Sequence, residues 1–233
     1  MIGKIARHRV DELMDSPSLA PHEHVRALEG LVTINRLSLT AEILLPKILA
    51  LAHRLNRDNL TVLDVACGAG DVPLALYKMA ARRGVRLDMT LADRSGTALA
   101  QALKMAGPVA LTLVQCDADS EDLPQADIVT SSLFLHHLDG PDVVRVLRHL
   151  SARAGHLLLI SDLSRTWSGL GVAWATCRLL SSSKIVRFDG PASVRAAWTP
   201  GEMRRMCHEA GLASAAITRI WPWRMLIDWR KIE

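Results

Sequence analysis

The segment from Thr61 to Asp71, TVLDVACGAGD, constrains the chain more than any other. Thr61 to Val65 is an apolar run of strand character. A turn carrying Gly68 and Gly70 follows, and then a helical period through Val72, Leu74, Ala75, Leu76 and Met79. Strand, tight turn and helix in that order open an α/β domain. Gly68 and Gly70 permit positive φ and let the backbone approach a ligand closely. Amides in the turn and at the helix start favour an anionic group in front of them. Two phosphate loops do not fit. Pro73 stands where a dinucleotide fingerprint needs its third glycine, and no Gly-Lys-Ser/Thr follows the turn.

The alternation continues downstream. Leu87 to Ala92, Val109 to Val114, Ala126 to Ser131 and His156 to Ser161 read as strands, with helical runs at Ser95 to Ala106 and Pro141 to Leu150. Thr199-Pro200-Gly201-Glu202 opens a further helix, and Ala213 to Trp229 reads as two strands joined near Pro222. The expected fold is α/β: a doubly wound, seven-stranded, mostly parallel sheet ending in an antiparallel hairpin. Residues 1–56 read as helical, with a break at Ser16-Pro17-Ser18, and are expected to form a lid or substrate cap. Residues 57–233 form the main domain. Within it, 164–198 interrupt the alternation and are expected to be a helical substrate lid. Ligands bind such sheets at the carboxyl ends of the strands. Asp64, Asp93, Asp117, Ser131, His136, His137 and Asp162 all follow strand ends.

The segments LDVACGAGD (63–71), LADRS (91–95), QCDADSEDLP (115–124) and SSLFLHHL (131–138) resemble the class I, Rossmann-like S-adenosylmethionine (SAM)-dependent methyltransferases. The resemblance spans roughly residues 60–162 and implies SAM as cofactor and S-adenosylhomocysteine as product. Asp64 can meet the cofactor's ammonium, and Gly68 and Gly70 form the turn around its carboxylate. Asp93 would hold the ribose and Asp117, with Ala118, the adenine. Ala66, Arg94 and Ser131 complete the expected cofactor set. LHHL and the helical N-terminus are similar to ubiquinone/menaquinone-type C- or O-methyltransferases. ELMD (12–15), INRLS (34–38) and DGPASVRAAWTP (189–200) are similar to bacterial methyltransferases associated with type III polyketide synthases.

That resemblance implies a phenolic, polyketide or quinone-like small-molecule acceptor in secondary metabolism. A phenol of pKa about 10 needs help to ionise at neutral pH, and histidine suits the task. In plant-type phenol O-methyltransferases the catalytic His lies where His136 falls here, although His137 and Leu138 replace that motif's Asp and Trp. The two histidines can equally shape the loop. Asp162 can orient the base or cap the helix beginning near Ser164. Arg165, Arg187 and Arg195 can hold a polar acceptor group or form surface ion pairs. Trp167 and Trp174 are expected in the lid that defines the acceptor pocket. C-methylation, RNA or protein methylation, and SAM binding without catalysis remain open at this stage.

Other classes fit less well. Cys67, Cys116, Cys177 and Cys207 have no CxxC spacing for zinc or CxxxCxxC spacing for an iron–sulfur cluster, and no metal triad of acids is evident. No metal is therefore expected. The net charge of +4 is spread along the chain rather than gathered in a nucleic-acid patch. No signal peptide or spanning segment is seen, so the expectation is a cytoplasmic monomer or homodimer. Trp221, Trp223 and Trp229 leave room for peripheral membrane contact.

Overall fold

The computed structural model describes residues 5–15, 19–37, 39–181 and 183–231; the expected break at Ser16-Pro17-Ser18 lies outside them. Seven strands form one sheet: β1 (Asn59–Val65), β2 (Arg86–Asp93), β3 (Thr112–Gln115), β4 (Ala126–Ser132), β5 (Ala154–Leu163), β6 (Ala216–Ile220) and β7 (Arg224–Arg230). Their spatial order is β3-β2-β1-β4-β5-β7-β6. The first five strands run parallel, and β7 is antiparallel to both β5 and β6. The sheet is thus of the expected type. β1 is central because both its faces are apolar: Leu60, Val62, Leu63 and Val65 are all buried. The order reverses between β1 and β4, which opens a crevice at their carboxyl ends.

Helices cover both faces. α2 (Thr40–Leu55) and α3 (Asp71–Ala81) pack on one, where Leu44, Ile48, Leu51 and Leu76 meet Leu60, Leu157 and Leu226. α5 (Gly140–Arg153) and α8 (Pro200–Glu209) pack on the other, through Val143, Leu147, Leu150, Met203 and Met206. α2 is therefore part of the sheet's packing layer, while α1 (Pro21–Leu37) sends Leu28 onto Ala69 and Ala98 beside the glycine turn. α4 (Gly96–Ala106) flanks that turn; Gly70, at φ 75, lies where a Cβ would come within 3.1 Å of Ala102.

The insertion consists of α6 (Trp167–Leu180) and α7 (Lys184–Ala196), packed on each other. Gly190 permits the close approach, since a Cβ there would sit 2.2 Å from Cys177 Sγ. Three caps set the helix starts. Thr166 caps α6, Ser183 caps α7, and Thr199 with Glu202 forms a capping box on α8, a device worth about 1 kcal/mol. Asp162 plays no part in capping α6.

Candidate active site

The crevice at the β1/β4 switch is a cavity of about 1810 Å³. Ordinary ligand pockets hold roughly 300–1,000 Å³, so the space admits a cofactor and a second molecule. One side is the glycine turn. Asp64, Ala66, Gly68, Asp93, Arg94, Asp117 and Ala118 all line it, as the sequence predicts. Ala66 holds φ 57 as β1 ends, an uncommon conformation for a residue with a Cβ. Asp93 braces the turn: its Oδ2 accepts from the Gly68 amide at 2.8 Å, and its Oδ1 accepts from the Ser95 amide at 2.9 Å. Gly70 makes the turn but does not face the cavity. Ser131 departs from expectation. It is fully buried, with no hydrogen-bond partner for its Oγ among the described residues, and the next residue, Ser132, lines the cavity instead. Side chains alternate across a strand, so a one-residue offset changes the face.

Asp64 is buried, and Thr130 Oγ1 donates to its Oδ2 at 2.5 Å. Burial, with smaller contributions from the charges of Asp71 and Asp93, pushes its carboxyl up to about 7 against the opposing Thr130 bond. An ammonium group placed there would restore the charged form.

The opposite side holds the histidines. Leu135–His137 form a single 3-10 turn after β4, and Leu133 before it has φ 57. His136 is 2% exposed. Its Nδ1–H donates to Asp162 Oδ1 at 2.6 Å, and its backbone amide donates to Asp162 Oδ2 at 3.0 Å. Asp162 thus holds both the ring, at Nδ1, and the backbone of His136, and so orients the histidine rather than capping α6. Across the ring, Nε2 stands 3.6 Å from Glu12 Oε1, and His137 Nε2 stands 3.9 Å from Glu12 Oε2. Burial alone would lower the His136 pKa. The charges and bonds of Asp162 and Glu12 outweigh it and raise the pKa to about 10. Burial likewise opposes the charge on both carboxyls, but the histidines hold Glu12 and Asp162 below their usual range. Glu12, His136 and His137 present donor atoms within 4.8 Å of one another, the closest such grouping of acids, histidines or cysteines among the described residues.

Glu12 reaches this position on an extended strap, residues 5–12, that lies across the insertion. Leu13 and Met14 donate their amides to Asp189 at 2.8 and 3.0 Å, and Ser193 Oγ donates to Glu12. Arg7 donates to the carbonyls of Ala196, His136 and Leu138 at 2.7, 3.2 and 2.8 Å and stacks 3.7 Å over Trp198. Asp139, just before α5, makes no capping bond and pairs with Arg7 and Arg9. Glu12 belongs to the ELMD segment, its one sequence signal. Arg224 is a second residue that sequence reasoning missed. It is buried at the start of β7, lines the cavity and donates to Thr40 Oγ1, and burial lowers its pKa to about 10 against the charges of Asp162 and Asp71.

The expected acceptor-binding residues do not reach the cavity. Arg165 is buried in a structural network, donating to Glu202 Oε1 at 2.8 Å and to the carbonyls of Ile5 and Ala197. Arg195 is exposed on α7. Arg187 donates to the Ser181 carbonyl at 2.8 Å. Trp167 and Trp174 are 52% and 53% exposed on the outer face of α6, and Arg178 stacks on Trp174 at 4.3 Å. The inner face of α6 does the lining, through small residues such as Gly169, Ala173 and Thr176.

Residues 62–154 match the family described as methyltransferase domain. No curated protein matches the chain. Solved structures with a similar fold include the magnesium protoporphyrin IX methyltransferase ChlM from Synechocystis PCC 6803 with bound SAM, at 14% identity and a TM-score of 0.57 over 94% of this chain and 88% of that one. The plantazolicin methyltransferase BpumL, in complex with a triazolic desmethylPZN analog and S-adenosylhomocysteine, matches at 16% identity and a TM-score of 0.62 over 82% and 83%. An O-methyltransferase family 2 protein from Planctomyces limnophilus DSM 3776, in complex with apigenin, matches at 20% identity and a TM-score of 0.54 over 74% and 50%. Residues 62–154 thus carry a methyltransferase domain, and the sheet around it, with acids at three successive strand ends, has the class I, Rossmann-like methyltransferase fold.

Proposed function

We propose that the chain methylates a hydroxyl of a small, apolar aromatic acceptor, phenolic or polyketide-like, with His136 as general base. One observation carries the reading: His136 Nδ1 is pinned to Asp162 while Nε2 faces a cavity whose opposite wall is the glycine turn. The ring is held in one orientation, and the carboxylate stabilises the imidazolium formed when Nε2 takes a proton, as in hydrolytic triads. The hydroxyl oxygen attacks the SAM methyl carbon, the carbon–sulfur bond breaks, and the hydroxyl proton passes to Nε2. The enzyme's part is alignment of the three centres and acidification of the acceptor. A His pKa of about 10 matches a phenol's own, near 10, so the proton is shared at little cost.

In this reading Asp64 takes the SAM ammonium, Asp93 the ribose, and Asp117 with Ala118 the adenine. Glu12 and His137 complete the acceptor side. The roof of strap, α1 and α6 favours a small molecule over RNA or protein, and the relative bound to apigenin points the same way. We assign the enzyme to the cytoplasm and to secondary metabolism on the acceptor class alone.

Assay of a phenol panel with methyl-labelled SAM tests the reading. Wild type should produce methyl ethers. His136→Ala should bind SAM normally and lose about 10²–10⁴-fold in turnover, the usual worth of general base catalysis. Full activity in that variant removes His136 from the mechanism. A product carrying its label on ring carbon would replace O-methylation by quinone-type C-methylation at the same histidine.

A further inference from the structure

Beyond methyl transfer, we infer that the outer face of α6, with the start of α7 and the β6–β7 turn, docks on an anionic lipid surface. The observations are of two kinds. First, large apolar side chains stand in water on these elements: Trp174 is 53% exposed, Leu179 83%, Phe188 50% and Trp221 71%. The elements that carry them are joined. Trp223 Nε1 in the β6–β7 turn donates to Ser168 Oγ on α6 at 2.6 Å, and Arg187 on α7 donates to the Arg178 carbonyl on α6 at 3.3 Å. Scattered exposed apolar residues are ordinary, but four large ones on three joined elements point to an interaction site.

Second, the charge is one-sided. From residue 163 to residue 188 the chain carries no Asp or Glu. Arg178, Lys184 and Arg187 are exposed there. Tryptophan settles at the level of lipid headgroups, and Lys and Arg beside it meet anionic lipid. Protein partners of such a face are an alternative occupant; indole rings in a segment whose own charges are all positive are the pattern of an interfacial helix. α6 is 14 residues long, about 21 Å, and among the described residues no helix is long and apolar enough to cross a bilayer, so it would lie in the interface plane.

The geometry gives this docking a use. The opposite face of the same helix lines the cavity, through Gly169, Ala173 and Thr176, and Trp221 belongs to both surfaces. A face seated on lipid would bring the cavity mouth to the bilayer, from which a poorly soluble acceptor can enter without crossing water. Docking itself does not depend on the acceptor's identity, so it stands or falls separately from the proposed reaction.

Co-sedimentation of the full chain with vesicles tests it. The expected result is sedimentation with phosphatidylcholine vesicles containing phosphatidylglycerol, at least tenfold weaker binding to phosphatidylcholine alone, and a blue shift of tryptophan emission on binding. Leu179→Glu and Arg178→Glu should each lower partition about tenfold, with the melting temperature and SAM affinity unchanged. The inference is overturned if wild type stays in the supernatant with anionic vesicles. It is equally overturned if both variants sediment like wild type, or if sedimentation equilibrium shows a dimer that Leu179→Glu dissociates, since a second copy then covers the face.

Discussion

His136 Nε2 faces Glu12 Oε1 at 3.6 Å, so the histidine after β4 is set between two carboxylates, Asp162 behind it and Glu12 before it. Asp162 belongs to the sheet and Glu12 to the strap. The first fixes the ring, and the second raises its proton affinity at the face the acceptor approaches.

The pH dependence of turnover follows. With a His136 pKa near 10, the ring is protonated at neutral pH, and the base form grows as pH rises. kcat/KM should increase through the alkaline range. Glu12→Gln removes one of the two charges that raise the pKa, and the rising limb should move down by about one unit or more. The His136 pKa is raised on folding, so its stabilising contribution is complete below the unfolded value near 6.5 and is lost as pH climbs toward 10. A pH–rate profile that is the same in wild type and Glu12→Gln would detach Glu12 from the base.

SAM affinity should fall in acid. Burial pushes the Asp64 carboxyl up to about 7, and the ammonium proposed to meet it needs the carboxylate form. Below that pH, Kd for SAM should rise toward about tenfold per unit, with protons released on binding. Asp64→Asn should bind weakly and without this slope. Because the Asp64 pKa is raised on folding, its ionisation costs stability as pH rises from the unfolded value near 3.8 to about 7, and SAM offsets that cost. Calorimetry in two buffers of different ionisation enthalpy reads both effects; a flat Kd across this range would sink the assignment.

Arg7→Ala should cost about 1–3 kcal/mol of stability and raise KM for the acceptor more than Kd for SAM. The variant leaves three carbonyls without their donor, including that of His136, and loses the stack on Trp198. Arg7→Lys should rescue only part, because one ammonium cannot reproduce the planar fork. Urea denaturation and steady-state kinetics measure the two effects. Unchanged stability in Arg7→Ala would show that the strap is not held by these bonds.

Exhaustive chelation should leave activity unchanged. In the proposed reaction His136 takes a proton beside Glu12 and His137, although the donor atoms of the three lie within 4.8 Å of one another. Activity lost on chelation and regained with a divalent ion would assign the cluster to a cation and end the proton reading.

The cofactor half of the site was legible because it is local. Each of its acids ends a strand, each strand is a short apolar run, and a parallel sheet brings those ends to one edge. Ser131 shows the limit: the right strand end was evident, but the pleat turned Ser132 to the cavity. The acceptor half depends on contacts between distant segments. Glu12 stood out only as part of ELMD, since nothing near it in sequence signals a histidine partner. Arg165 read as a ligand-binding candidate because its salt bridge to Glu202 crosses from the loop after β5 to α8. Trp167 and Trp174 read as pocket residues because a helical period gives the angle between faces but not which face turns inward.

The division of labour around the cavity has an engineering consequence. The parts proposed to hold SAM are welded into the sheet, whereas the strap, α6 and α7 are clipped over it, largely through backbone carbonyls that any residue supplies. Transplanting residues 5–15 together with 164–198 from one relative to another should therefore exchange what is methylated while leaving the donor grip intact. Moving either piece alone would separate Glu12 from the Ser193 and Asp189 contacts that seat it.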